Sequence, residues 1–287
     1  MDDTDDANEL ATLGGMLLGV ASSTSGFHHL ATQIRIGVDD ALFYEILAGV
    51  RARLAELDRF IAGLPVSELP ESMRKETQVA VQNFATLLSA SHLAQPWNEH
   101  KARIVTELNF QSMRWFGSMV MRKRRPLRKI SPEQIEDALA QITAKIQEIG
   151  YADYLDWERP LLISGLQRIQ TTLLYLQFFG HERAIADIFA TVLQTQVLYD
   201  AVPDSDPRAS KKKTSMAEWL GIAGFIMTLF IFPDQGVTAI ERYQTWVAEY
   251  VVSHTPGSQH KLLEGPSRVA KEPEAPEVEE TEQAASE

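Results

Sequence analysis

Two runs of basic side chains are the groups in this sequence best suited to chemistry. The first packs Arg122, Lys123, Arg124, Arg125, Arg128 and Lys129 into eight residues; the second holds Arg208, Lys211, Lys212 and Lys213. Each abuts an apolar aromatic stretch, with Trp115 and Phe116 before the first and Trp219 and Leu220 after the second. Polybasic segments beside aromatic-apolar helices are attracted to acidic lipid leaflets at about 1 kcal/mol per charge. The same cations could neutralise nucleic-acid phosphates, but no nucleic-acid motif accompanies them, so that reading ranks lower. The bland alternative is a solvated loop.

Other candidates carry less. Asp39, Asp40 and Glu45 suit an N-cap pair with a solvated Glu better than a metal site. Asp2, Asp3, Asp5 and Asp6 resemble a diphosphate-binding acidic run only as text. His28 and His29 are adjacent, so on a helix they point apart, and no histidines stand at i, i+4 ligand spacing. His181 follows Gly180 at a helix start. Surface or capping roles are expected for the histidines. Asp153, Asp156 and Glu158 flank Trp157 as paired carboxylates of an acid–base site do, yet acids at a helix start also suit the helix dipole. The sequence has no cysteine, which removes disulfides, thiolate catalysis and Cys-ligated zinc. Phosphate loops, nucleophile elbows and His-Glu-x-x-His are missing too. No catalytic residue, cofactor or metal is assigned.

The elements that must position these groups read as helices. Residues 211–233 form the most apolar and most sharply bounded stretch, and 219–233 carry no charge. Ser215 and Glu218 stand in capping-box spacing, which starts the helix near Met216. Pro233 ends it. A helix apolar on all sides belongs in a large bundle or in lipid. Trp219, Leu220, Phe225, Ile226, Leu229 and Phe232 would supply its bulk, and Gly221 and Gly224 would admit a neighbouring backbone. Fifteen residues give about 22 Å against about 30 Å of hydrocarbon. Its expected partner, 237–253, carries Glu241, Arg242 and Glu249, which are costly in lipid.

Upstream, Asp39 and Asp40 cap a helix with Leu42, Ile46, Val50, Leu54, Leu57, Ile61 and Leu64 inward. Residues 71–94 and 98–121 continue the theme, the latter with Ile104, Leu108, Trp115 and Met119 on one face. Ser131, Pro132 and Gln134 open a helix over 132–149 whose Ile135, Leu139, Ile142, Ile146 and Ile149 keep heptad spacing. Helices also read over 9–21, 27–34, 159–179 and 181–199. No stretch alternates long enough for a convincing strand.

The fold class is therefore all-α: about eight to ten helices around an apolar C-terminal hairpin, with disordered acidic ends. Residues 1–8 form the acidic lead, 9–253 the body and 254–287 a Pro- and Glu-rich tail. The body divides into sub-bundles 9–121 and 131–253 joined by the basic connector 122–130. The net charge of −12 sits in the ends: residues 2–9 sum to −5 and 271–287 to −6. The acidic start lacks the positive region of a secretory signal, so an intracellular, cytoplasmic protein with peripheral membrane contact is expected. The plan of amphipathic helices wrapped round one apolar hairpin resembles colicin-type and Bcl-type membrane-active bundles. The glycine-bearing apolar start, 10–21, is loosely similar to fungal HeLo cell-death domains. Neither likeness rests on a motif, and neither assigns a residue role.

The expected function is a non-enzymatic helical interaction or regulatory protein. It would act through the basic loops and the amphipathic surface of 132–149, with a protein as partner. A membrane-associated or membrane-perturbing effector using 208–253 is the alternative, with an anionic membrane surface as partner. A helical enzyme with an unrecognised site is the second alternative.

Overall fold

Asp5 fixes the start of the first helix. Its carboxylate accepts from the Asn8 N–H at 2.9 Å, so an acid in the expected lead serves as an N-cap. The computed structural model describes residues 3–121, 127–151, 154–203 and 205–230, and all of them fall in one compact unit. Twelve α-helices are seen among these residues, and the fold is all-α.

The first seven are α1 (Asp6–Gly19), α2 (Gly26–Ile34), α3 (Ala41–Gly63), α4 (Glu71–Leu87), α5 (Ala90–Leu93), α6 (Trp97–Ile104) and α7 (Glu107–Phe116). A π-helical turn, Gly117–Met121, extends α7. Then come α8 (Pro132–Tyr151), α9 (Glu158–Leu174), α10 (Leu176–Phe179), α11 (His181–Ala201) and α12 (Ala209–Phe230). The strands β1 (Asp3–Thr4) and β2 (Leu127–Arg128) pair antiparallel, Asp3 opposite Arg128.

Buried apolar side chains divide between two clusters. The first runs from Ala7 to Met121 and is built on α1, α3, α4 and α7. The second runs from Leu127 to Phe230 and is built on α8, α9, α11 and α12. Short α10 joins them: it packs on α3 and carries Phe178 and Phe179 into the first cluster.

Several expectations need correction. Residues 3–8 are not an unstructured lead. They pair as β1 and begin α1, and Asp6 is buried and paired with Arg53. The expected helix 98–121 is broken at Val105, because Thr106 and Asn109 form a capping box that starts α7 afresh. The new phase buries Phe110, Met113 and Phe116 and leaves Leu108 and Met119 exposed. The helix of 211–233 begins earlier, at Ala209, with Asp206 accepting from the Arg208 N–H at 2.8 Å. Ser215 caps nothing; its hydroxyl donates to Glu148 at 2.7 Å. α12 is not enclosed on all sides. Trp219, Ala223, Ile226, Leu229 and Phe230 are buried, Leu220 is half-buried, and Phe225 faces out. Among the described residues no neighbour comes within 4 Å of a Cβ at Gly221 or Gly224. Phe232, the partner segment 237–253 and the tail lie outside the described residues.

Candidate functional site

The second basic run separates into three environments when α12 forms. Successive residues on a helix turn by about 100°, so Lys211, Lys212 and Lys213 cannot share a face. Lys212 points inward. Its ammonium lies 2.9 Å from Glu158 and 3.2 Å from Asp206, and its side chain is 3% exposed. Burial pulls its pKa down, but hydrogen bonds to the two carboxylates win and raise it, so it is a fixed cation. Lys213 lies over the Tyr199 ring, 5.7 Å from its centroid. Lys211 is exposed. The expectation that all three serve an anionic surface is thus wrong for Lys212, whose charge is spent inside the protein.

The first run fares differently. Lys129 is exposed and Arg128 half-buried in β2. Arg122, Lys123, Arg124 and Arg125 lie outside the described residues.

A second buried lysine organises the face that α8 shares with α12. Lys145 sits three residues after buried Ile142, on the inward side of α8. Its ammonium lies 2.8 Å from Glu148 and 2.9 Å from Glu218 of α12. The cation is 3% exposed, whereas the two carboxylates are 48% and 58% exposed. What reaches solvent here is therefore acid. Although burial pushes the Glu148 carboxyl up, hydrogen bonds from Lys145 and Ser215 hold it below its usual range.

Two concavities flank this ion triad. A shallow groove of about 560 Å³ runs along α8 and α12, floored by Ala144, Gly221, Ile222 and Phe225, with Glu148 and Glu218 at one end. On the other side of those acids lies a cleft of about 490 Å³ lined by Tyr151, Tyr154, Arg208 and Lys211 among others. Tyr154 is buried, which pushes its phenol pKa up. In chemical terms the face offers an apolar bed, then carboxylates, then cations. Ser215, whose hydroxyl donates to Glu148 at 2.7 Å, lines the same cleft.

The other candidates take structural roles. Asp40 accepts from the Leu42 N–H at the start of α3. Glu158 receives the Leu155 N–H at 2.8 Å and the Lys212 pair, Asp156 is exposed, and Asp153 lies outside the described residues. Among the described residues no three His, Asp or Glu side chains are grouped to hold a metal ion. Two histidines depart from the expected surface role. His29 is buried, stacked on Trp97 at 4.6 Å and 3.2 Å from the Leu17 carbonyl, and burial lowers its pKa. His181 is buried beside Glu9.

Sequence reasoning missed Lys145 and Arg53, and it named Lys212 and His181 without their buried partners. Lys145, Lys212 and Arg53 carried a signal: each charged residue occupies an inward position of an apolar stripe. No protein-family model, curated protein or solved structure matches the chain.

Proposed function

We propose that the protein is a non-enzymatic helical interaction protein that receives an amphipathic helix of a partner protein along the α8–α12 groove. The observation that carries this reading is the charge layout at the groove end. Lys145 is buried beneath two carboxylates that remain half-exposed, while Phe225 stands 44% exposed among Gly221, Ile222 and Ala144. An apolar bed ending in accessible acid suits a helix with an apolar stripe and one Lys or Arg level with Glu148 and Glu218. Exposed Lys211 lies in the cleft on the far side of those acids. Among the described residues no helix is long and apolar enough to cross a membrane.

The test uses amphipathic helical peptides of about 18 residues with a central lysine, followed by fluorescence anisotropy. Binding should weaken at least about tenfold in Phe225→Glu, since a carboxylate would replace the apolar anchor. Glu218→Lys should reject the lysine peptide and accept its glutamate counterpart, because reversing both charges restores the pair. Peptide binding indifferent to both variants would overturn the proposal. Phe225-dependent binding to phosphatidylserine vesicles, with no peptide binding, would favour the membrane effector. Binding seen only after removal of residues beyond 236 would assign the groove to the chain's own continuation.

A further inference from the structure

Four ionisable side chains from α1, α3 and α11 meet away from the groove. Arg53 of α3 donates through Nε to Asp6 of α1 at 2.7 Å and through one terminal nitrogen to Glu9 at 2.9 Å. Its other terminal nitrogen donates to the Phe178 carbonyl of α10 at 2.8 Å. His181, the first residue of α11, holds Nδ1 2.6 Å from Glu9, and its backbone N–H donates to the same carboxylate at 3.3 Å. No side chain of the four is more than 12% exposed. Gly180 makes the approach possible. Its φ is 81°, and a Cβ there would stand 2.5 Å from Cζ of Arg53.

Counting charge shows what is unusual. Two carboxylates share one guanidinium. Among the described residues, Glu56 of α3 and Glu182 of α11 also act on the set, and both are acidic. The neighbouring elements α10 and α12 contribute a carbonyl and the Phe230 ring. A proton on Asp6 removes one of the two buried negative charges. A dry site favours that form, because buried charge is costly.

We propose that Asp6, Glu9, Arg53 and His181 form a one-proton latch that tightens the hold of α1 and α3 on the start of α11 when the proton is bound. The acceptor is built for the task. Burial pushes the Asp6 carboxyl up to about 6 even though Arg53 pulls it down. Burial pushes Glu9 up as well, but His181 and Arg53 outweigh it and keep that carboxyl below its usual value, so Glu9 stays the anion of the set. A carboxyl with a raised folded pKa binds its proton more tightly folded than unfolded. Its contribution to stability is full below the unfolded value of 3.8 and fades as pH rises through about 6. Opening of the junction is therefore favoured at pH 7.5 over pH 5.5. His181 also meets Phe230, the last residue of α12, edge-on at 5.6 Å, so the latch touches the end of the groove helix.

Amide hydrogen exchange of the full-length protein at pH 5.5 and 7.5, corrected for the intrinsic rate, tests the latch. The opening constant of α1 and the first turn of α11 should be about fourfold smaller at pH 5.5, the ratio that a shift from 3.8 to about 6 yields. Asp6→Asn, which fixes the neutral form, should be protected to the same degree at both pH values. Equal opening in the wild type at both pH values, or undiminished pH dependence in Asp6→Asn, overturns the proposal. If Asp6→Asn does not fold, the carboxyl-carbon NMR titration of wild-type Asp6 decides. A midpoint near 6 supports the latch, and one near the ordinary carboxyl value of about 4 overturns it.

Discussion

The charge cluster around Arg53 and the pair of clusters around Lys145 and Lys212 use the same device, a buried cation, in opposite surroundings. At Arg53 every partner is buried as well, and the acids outnumber the cation unless a proton joins them. At Lys145 the cation is buried but both carboxylates reach solvent. Lys212 is intermediate, with Glu158 6% and Asp206 15% exposed. Screening by water decides what a broken pair costs, so the three cations should rank by the exposure of their partners and not by their own. The difference also separates roles. Wet carboxylates can be offered to a partner; dry ones can only hold the fold together or trade a proton.

Arg53→Met gives the largest effect and tests the dry end. It leaves Asp6 and Glu9 buried without their cation and orphans the Phe178 carbonyl, so urea unfolding should show a loss of about 3–5 kcal/mol. Removing both acids together with Arg53 should recover much of that loss, because no uncompensated charge then remains. Gly180→Ala strikes the same place from the backbone. A residue with a Cβ must hold φ near 81° and meet the guanidinium, so about 2 kcal/mol should be lost. A shift under about 0.5 kcal/mol would mean that Arg53 yields and that its cluster is softer than its burial implies.

Lys212→Met should cost less, about 2 kcal/mol, since it strands Glu158, a buried acid, next to an acid with some water. Thermal melts of this variant beside Arg53→Met check the ranking. If Lys212 proves the more costly of the two, partner exposure is not what sets the scale.

Most of the helical plan was legible because it depends on local rules. Ser131 and Gln134 exchange the two hydrogen bonds of a capping box, as their spacing requires. Ile46, Val50, Leu54, Leu57 and Ile61 are all buried, as their three- and four-residue steps require. The face of α7 was misread because Thr106 resets the helix phase, although Thr106 and Asn109 stand at capping-box spacing. The candidate site was mostly illegible. Arg53 stands seven residues after Ile46 and three after Val50, Lys145 three after Ile142, and Asp6 four before Leu10. These are inward positions that a count of apolar residues passes over. Nor does spacing along the chain say that Asp6 meets Arg53, 47 residues away, or that Glu9 meets His181, 172 residues away. A charged residue on an apolar stripe predicts a buried partner without naming it.

The smallest effect is the sharpest test, because it sets neighbours in sequence against each other. Lys211, Lys212 and Lys213 look interchangeable as text, and any reading of them as one polybasic unit requires similar responses. In the fold they differ by one helical step each: Lys211 exposed, Lys212 paired inside, Lys213 over Tyr199. Lys211→Gln removes a charge that water already solvates, so the urea midpoint should move by less than about 0.5 kcal/mol equivalent. Lys212→Gln should approach the loss seen with Met, since an amide cannot supply the positive charge that Glu158 and Asp206 share. Equal small shifts in Lys211→Gln and Lys212→Gln would place Lys212 on the surface and dissolve the comparison between dry and wet cations from its middle term. A large loss at Lys212 alone would remove it from the lysines that any anionic partner could use.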